Sequence, residues 1–415
     1  MASAEDYERA KQGAYRWNVW ADSEIAARRR PLVDLSALDI EEVSFEGFHF
    51  PGEAHFEGSG FGGEATFRGA KFFDVALFDR AVFSKGADFR EATFSRRASF
   101  AGAQFGAEGR FDVARFSGHT SFDDAHFTTN GRFQRTTFSS VVSFLRTKFE
   151  GEARFVEMNC LGDVRFSDTE LKGNTRFLRS RFLSDTQFGG TNFGGAVNDF
   201  SYSYFARVAD FRTAIFAAAP NLHGTTIHYA TNGEGGVWRR ILRRAAHPDD
   251  TARYRRMKQL ASEAKDHERE ISFFADELRA KRFYEIDQFL SMVPNIAYDW
   301  LSNYGRSIAR PVVGLLLMIG IAWFAIIEAH WRALDGDGAK LGASFVVATT
   351  NSALLLGADK WDLRARALKT IYPGSAADLG LLGSVLAYSQ SALSLFLFFL
   401  IGLALRNRFR IGGSG

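Results

Sequence analysis

A single cysteine in 415 residues, Cys160, leaves no disulfide framework and no cysteine-rich metal site, and a reducing compartment fits that shortage. Proline (7) and methionine (5) are scarce as well. The net charge is only +3, and across residues 45–230 Lys and Arg match Asp and Glu in number. That balance excludes the acidic field of a DNA mimic and the basic field of a nucleic-acid binder, so no nucleic-acid partner is expected. Catalytic signatures are missing too: there is no G-x-x-x-x-G-K-[ST], no H-E-x-x-H, no G-x-S-x-G and no paired-cysteine motif. The 9 histidines are scattered, and His223 and His228 lack a third ligand, so no enzyme, metal or cofactor is expected. The opening segment, MASAEDYERAKQGAYRWNVWADSEIAARRR, has no apolar signal-peptide core and reads as a capping helix over 1–43. The final GGSG, 412–415, reads as an expression remnant.

Phenylalanine is abundant instead, at 42 residues. In GEATFRGAKFFDVALFDRAVFSKGADFREATFSRRASF the residues Phe67, Phe72, Phe78, Phe83, Phe89, Phe94 and Phe100 stand alternately five and six apart. One series runs in steps of eleven from Phe45 to Phe188, and a second from Phe50 to Phe193, broken at Cys160 and Leu171. After one inserted residue the pattern resumes at Phe200, Phe205, Phe211, Phe216, Leu222 and Ile227. Two positions before most of these stands a small or medium residue, as at Ala65, Ala70, Ala76 and Ala81. A helix fails this pattern, because at about 100° per residue the two series fall on different faces. In an extended chain, residues i−2 and i share a face, so each A-x-F unit sends a small and a large side chain into one interior. Stacked coils then pair their backbones and align the phenylalanines in ladders, which is a β-solenoid. Cys160 holds a ladder position and reads as a small buried hydrophobe, not a nucleophile.

These A-x-F units resemble the pentapeptide-repeat family, and the resemblance implies a right-handed quadrilateral β-helix over 44–229. The sixth residue in every second unit lengthens the coil to about 22 residues, giving about eight coils over 45–227.

After Tyr229 the ladder ends. Residues 230–305 read as an amphipathic helical linker, with Tyr254, Met257, Leu260, Ala261 and Ala264 in one stripe continued by Ile271, Phe274, Leu278 and Phe283. Packing on the solenoid or on another subunit accounts for its basic residues; the alternative is that Arg239, Arg240, Arg243, Arg244, Arg253, Arg255 and Arg256, together with Arg306, Arg310, Arg406 and Arg408 farther on, face anionic lipid headgroups.

Residues 306–411 read as a membrane domain. Runs at 308–327 and 379–405 are long and apolar enough to cross a bilayer of about 30 Å. Arg306 and Arg310 before the first and Arg406 and Arg408 after the second put both ends, and the solenoid, in the cytoplasm of a multi-pass inner-membrane protein. Between them ASFVVATTNSALLLG, 343–357, is apolar but too short to cross, and is expected as a re-entrant half-helix. Its order resembles two-transmembrane channel subunits, with Thr349, Thr350, Asn351, Ser352, Leu356, Gly357 and Asp359 where a pore helix and filter would stand; no TVGYG is present, so potassium selectivity does not follow. In the second run Ser384, Tyr388, Ser391, Leu395 and Phe398 share a helical face that could line a pore, with Ser389, Gln390 and Ser394 alongside; hydrogen bonding between helices accounts for the polar ones equally well. The pieces YGRSIARP and LALRNRFRI look like those of pentapeptide-repeat membrane proteins with an ion-channel-like C-terminal module.

The sequence thus leads to an oligomeric, most simply tetrameric, cation channel in contact with membrane lipids, its solenoid structural or regulatory and open to a cytosolic protein partner. The alternative from another class is a non-conducting membrane-anchored scaffold.

Overall fold

The computed structural model describes residues 4–41, 43–228, 245–286, 288–329, 336–352, 359–372 and 380–412. The chain divides into two compact units, one of residues 1–234 with 244–281 and one of 235–243 with 282–415.

The first unit is a β-solenoid of about nine turns. Its two-residue strands form four parallel sheets of eight, seven, nine and nine strands, each strand paired with its equivalent one coil later. Register follows the sequence period: Phe50 pairs with Phe72 and Phe94 with Phe116. Backbone groups are satisfied between coils, as where Phe56 N donates to the Leu77 carbonyl at 2.7 Å. Inside, rings stack in register, Phe50 on Phe72 with centroids 4.6 Å apart and planes 1° apart, while neighbouring ladders meet edge to face, as Phe67 meets Phe78 at 5.2 Å and 86°. Cys160 lies fully buried in this ladder between Phe138 and Phe182, and burial pushes its thiol pKa up.

The alternation of five and six comes from two kinds of corner. Each five-residue step from Phe45 to Phe205 turns through a residue with positive φ two places after the phenylalanine: Gly69, Arg80, Glu91, Gly102, Val113 and Asp124 among them. The turn closes by a hydrogen bond from three residues on, as Ala81 N to Phe78 O at 3.1 Å. The six-residue steps carry one more residue, and of them only the step from Phe83 to Phe89 has a left-handed residue, Gly86.

The solenoid begins at Val33, earlier than residue 44, because Val33, Leu35 and Ile40 fill inward positions that phenylalanine takes later. Before it, α1 (Ala4–Lys11) and α2 (Ala14–Ala26) close the end. Trp17 of α2 is buried on Phe48 and Phe50 and donates Nε1 to the His49 carbonyl at 2.7 Å, while Asn18 bonds the Gly47 carbonyl and the His49 N–H. Beyond the ladder, α3 (Asp250–Glu263) and α4 (His267–Ala280) pack on each other. The expected stripe is interrupted at Lys265, which has φ 58, and Asp266 caps α4 by accepting from Arg269 N. Tyr254, Met257, Leu260 and Ala261 are buried as their spacing implies, but Phe273 rather than Phe274 goes inside α4. Arg256 reaches the Ala214 carbonyl and Arg212 pairs with Asp249 at 3.0 Å, fixing the helices to the last coils.

The second unit contains α5 (Phe289–Ser302), α6 (Ala309–Ala329), α7 (Gly338–Ser352), α8 (Lys360–Ile371) and α9 (Gly380–Gly412). Two helical segments, Ala309–Glu328 and Ser384–Phe409, are long and apolar enough to cross a membrane. Helix α8, whose Ala367, Leu368 and Ile371 bury against Ala343 and Val347 of α7, was not expected from the residues alone.

Candidate functional site

Some of the residues singled out by the sequence, Asn351, Ser352, Gln390 and Ser391, meet where α7 packs on the long helix α9. A helix ends in carbonyls without intrahelical partners. Side chains of α9 donate to carbonyls near the end of α7. Gln390, buried, donates Nε2 to the Ala348 carbonyl at 2.9 Å and to Ser352 Oγ at 2.5 Å, and Ser391 Oγ donates to the Asn351 carbonyl at 2.8 Å. From α6, Trp323 donates Nε1 to Ser344 Oγ at 2.9 Å and lies edge-on to Phe345. The hydroxyls of Thr349, Thr350 and Ser352 bond back to carbonyls one turn earlier within α7.

Thr350 and Ser352 are thus buried, Thr349 and Asn351 half-buried, and Asp359 exposed just before α8. Leu356 and Gly357 lie outside the described residues. Along α9, Tyr388 and Leu395 are exposed while Ser384, Ser391 and Phe398 are half-buried. The helical face expected to line a pore therefore lies away from the seam made by Gln390, Ser394, Leu397, Leu400 and Ala404, and among the described residues Ser391 makes its one hydrogen bond to α7. Gln390 is the contact that spacing alone undervalued: an amide in an apolar run signals a partner, but only the fold identifies which.

Arg306, Arg310, Arg406 and Arg408 are all exposed, and the fold brings them to the same end of the unit. There Asn407 of α9 donates to the Gly305 carbonyl at 3.1 Å, and Arg310 to the Asp299 carbonyl at 3.0 Å. Arg239, Arg240, Arg243 and Arg244 fall outside the described residues. Among the described residues no group of three or more His, Cys, Asp or Glu is placed to hold a metal ion.

A family model described as pentapeptide repeats (9 copies) matches residues 67–114 and 144–192. Comparison with curated proteins and with solved structures gives no significant match. The ladders of the first unit are therefore pentapeptide repeats, carried on a β-solenoid and followed by helices of which two are candidate membrane spans.

Proposed function

We propose that the chain is a subunit of an oligomeric, cation-conducting channel of the inner membrane, most simply a tetramer, with its termini and solenoid in the cytoplasm. The observation that carries this reading is the attachment of α7 to α9: a short apolar helix between two candidate spans, its last turn held by Gln390 and Ser391. The C-terminal end of such a helix carries a partial negative charge of about half a unit, which favours a cation nearby. One chain with two spans cannot enclose a pore, so assembly is required. The exposed stripe of Tyr388 and Leu395 would then face the axis, and Thr349 to Ser352 with Asp359 would form its narrow part. The solenoid, right-handed and four-sided by its family resemblance, would stiffen the assembly or bind a cytosolic protein that biases opening.

Planar-bilayer recording of the purified protein tests this, with ion substitution and with Thr349, Thr350 and Asn351 replaced together by alanine. Discrete currents whose reversal potential changes with the replacement support the channel. Silence from a verified oligomer across voltage, tension and pH overturns it. That result would favour the scaffold reading, which has its own supporting observation: Gln390, Ser391 and Ser394 all find hydrogen-bond partners within one chain and do not require water.

A further inference from the structure

Helix α5 is built inside out for water. Its inward face is polar: Asn295, Asp299 and Ser302 turn with Met292 toward the fold, where Arg282 is fully buried. The Arg282 guanidinium donates Nε to Asn295 Oδ1 at 2.6 Å and Nη2 to Asp299 Oδ2 at 2.8 Å and to the Tyr304 hydroxyl at 2.5 Å; that hydroxyl donates in turn to Asn295 Oδ1 at 2.7 Å. The outward face is apolar. Leu290 is 84% exposed, Val293 46% and Trp300 66%, and Pro294 is exposed beside them. At 100° per residue Leu290, Val293, Pro294, Ala297 and Trp300 form one continuous stripe. A soluble helix of this length turns such a stripe inward, and an exposed one marks a surface that something apolar covers.

We propose that this stripe docks in the headgroup–acyl boundary of the bilayer, so that α5 is an interfacial helix lying on the membrane that α6 enters. The proposal rests on the membrane reading of α6 and α9. Three observations favour lipid over protein. Only the corner 303–308 separates the end of α5 from the start of α6, so the stripe lies beside a candidate span by covalent constraint. Trp300, an indole with an apolar body and one N–H, suits the headgroup level. The exposed Arg306, Arg310, Arg406 and Arg408 at the same end offer anionic headgroups a complementary charge. The buried Arg282 cluster fixes which face of α5 points outward, because a rotation would strip a buried guanidinium of two partners, Asn295 and Asp299.

The test uses the full chain, in which Cys160 is buried and spares surface labelling. Leu290→Cys, Val293→Cys, Ser291→Cys and, as a control within α6, Leu317→Cys each carry an environment-sensitive fluorophore in vesicles with and without anionic lipid. Ser291 is exposed but lies off the stripe. The expected result is blue-shifted emission at 290 and 293, loss of quenching by aqueous iodide, and quenching by bromine on lipid chains near the headgroups, while 291 stays open to iodide. If 317 is shielded but 290 and 293 behave like 291, interfacial docking is overturned and the membrane reading stands. If 317 is also open to iodide, both fall. Shielding from iodide without quenching by bromolipid assigns the stripe to a protein neighbour and overturns the proposal.

Discussion

At the level of single residues, the interior of the solenoid is governed by volume. Most rungs place a small side chain two positions before each phenylalanine, but Gly109 and Gly131 have none, and neighbouring rings occupy the space. A Cβ on Gly109 would stand 2.7 Å from the Phe127 ring, and one on Gly131 2.4 Å from the Phe149 ring. The stack tightens there, with Phe105 to Phe127 at 4.4 Å and Phe127 to Phe149 at 4.5 Å, against 4.9 Å for Phe61 to Phe83. Gly131→Ala is therefore expected to cost about 2 kcal/mol through overpacking, although Ala is the usual residue at this rung position; urea unfolding of the variant checks this. The phenylalanine ladders were legible in the sequence because one residue type recurs at one spacing. The first coil was not, since Val33, Leu35 and Ile40 bury equally well without announcing a period.

Among the elements, two attachments invite measurement. Glu277 of α4 is buried with Lys258 at 2.6 Å, Arg255 at 3.1 Å and Lys281 at 3.2 Å. Burial alone would raise its carboxyl, but hydrogen bonds from Lys258 and Arg255 and the nearby positive charges outweigh it and hold the pKa below the usual glutamate value of 4.5. A depressed folded-state pKa contributes stability that is present above the unfolded value and lost as pH falls through the folded one. The packing of α3 on α4 should thus weaken in acid below about pH 4.5. Glu277→Gln should remove that part of the acid sensitivity and cost about 2 kcal/mol at neutral pH, readable in chemical denaturation followed at several pH values. The second attachment is Gln390. Gln390→Leu removes the donor to the Ser352 hydroxyl and one of the two side-chain donors to the Ala348 carbonyl, and a loss of about 1 kcal/mol is expected in thermal unfolding of the detergent-solubilised protein. Helix α8 escaped the sequence for a related reason: KWDLRARALKTI carries five charged residues in twelve, and of it Ala367, Leu368 and Ile371 are the buried ones. The two long apolar runs needed no partner to be recognised, whereas the polar suture between α7 and α9 depends on register that no single stretch encodes.

For the molecule as a whole, the solenoid has two ends, each with unpaired strand edges of the kind that recruit further strands. Trp17 and Asn18 close one end and the pair α3–α4 the other. Replacing both Trp17 and Asn18 by alanine should expose the first coil and give concentration-dependent end-to-end association, seen as growing particle length in sedimentation and electron microscopy; particles of unchanged length would mean the residual helices still seal the edge. The regular coil also separates two dimensions that most folds entangle. An insertion of a full 22-residue coil, the step that relates Phe72 to Phe94, would raise everything beyond it by about 4.8 Å and return the chain to the same sheet. An insertion of eleven would keep every phenylalanine on a ladder yet hand the chain to the sheet across the coil. Height and azimuth of whatever the solenoid presents to its surroundings can therefore change independently, in whole steps, with the interior left undisturbed.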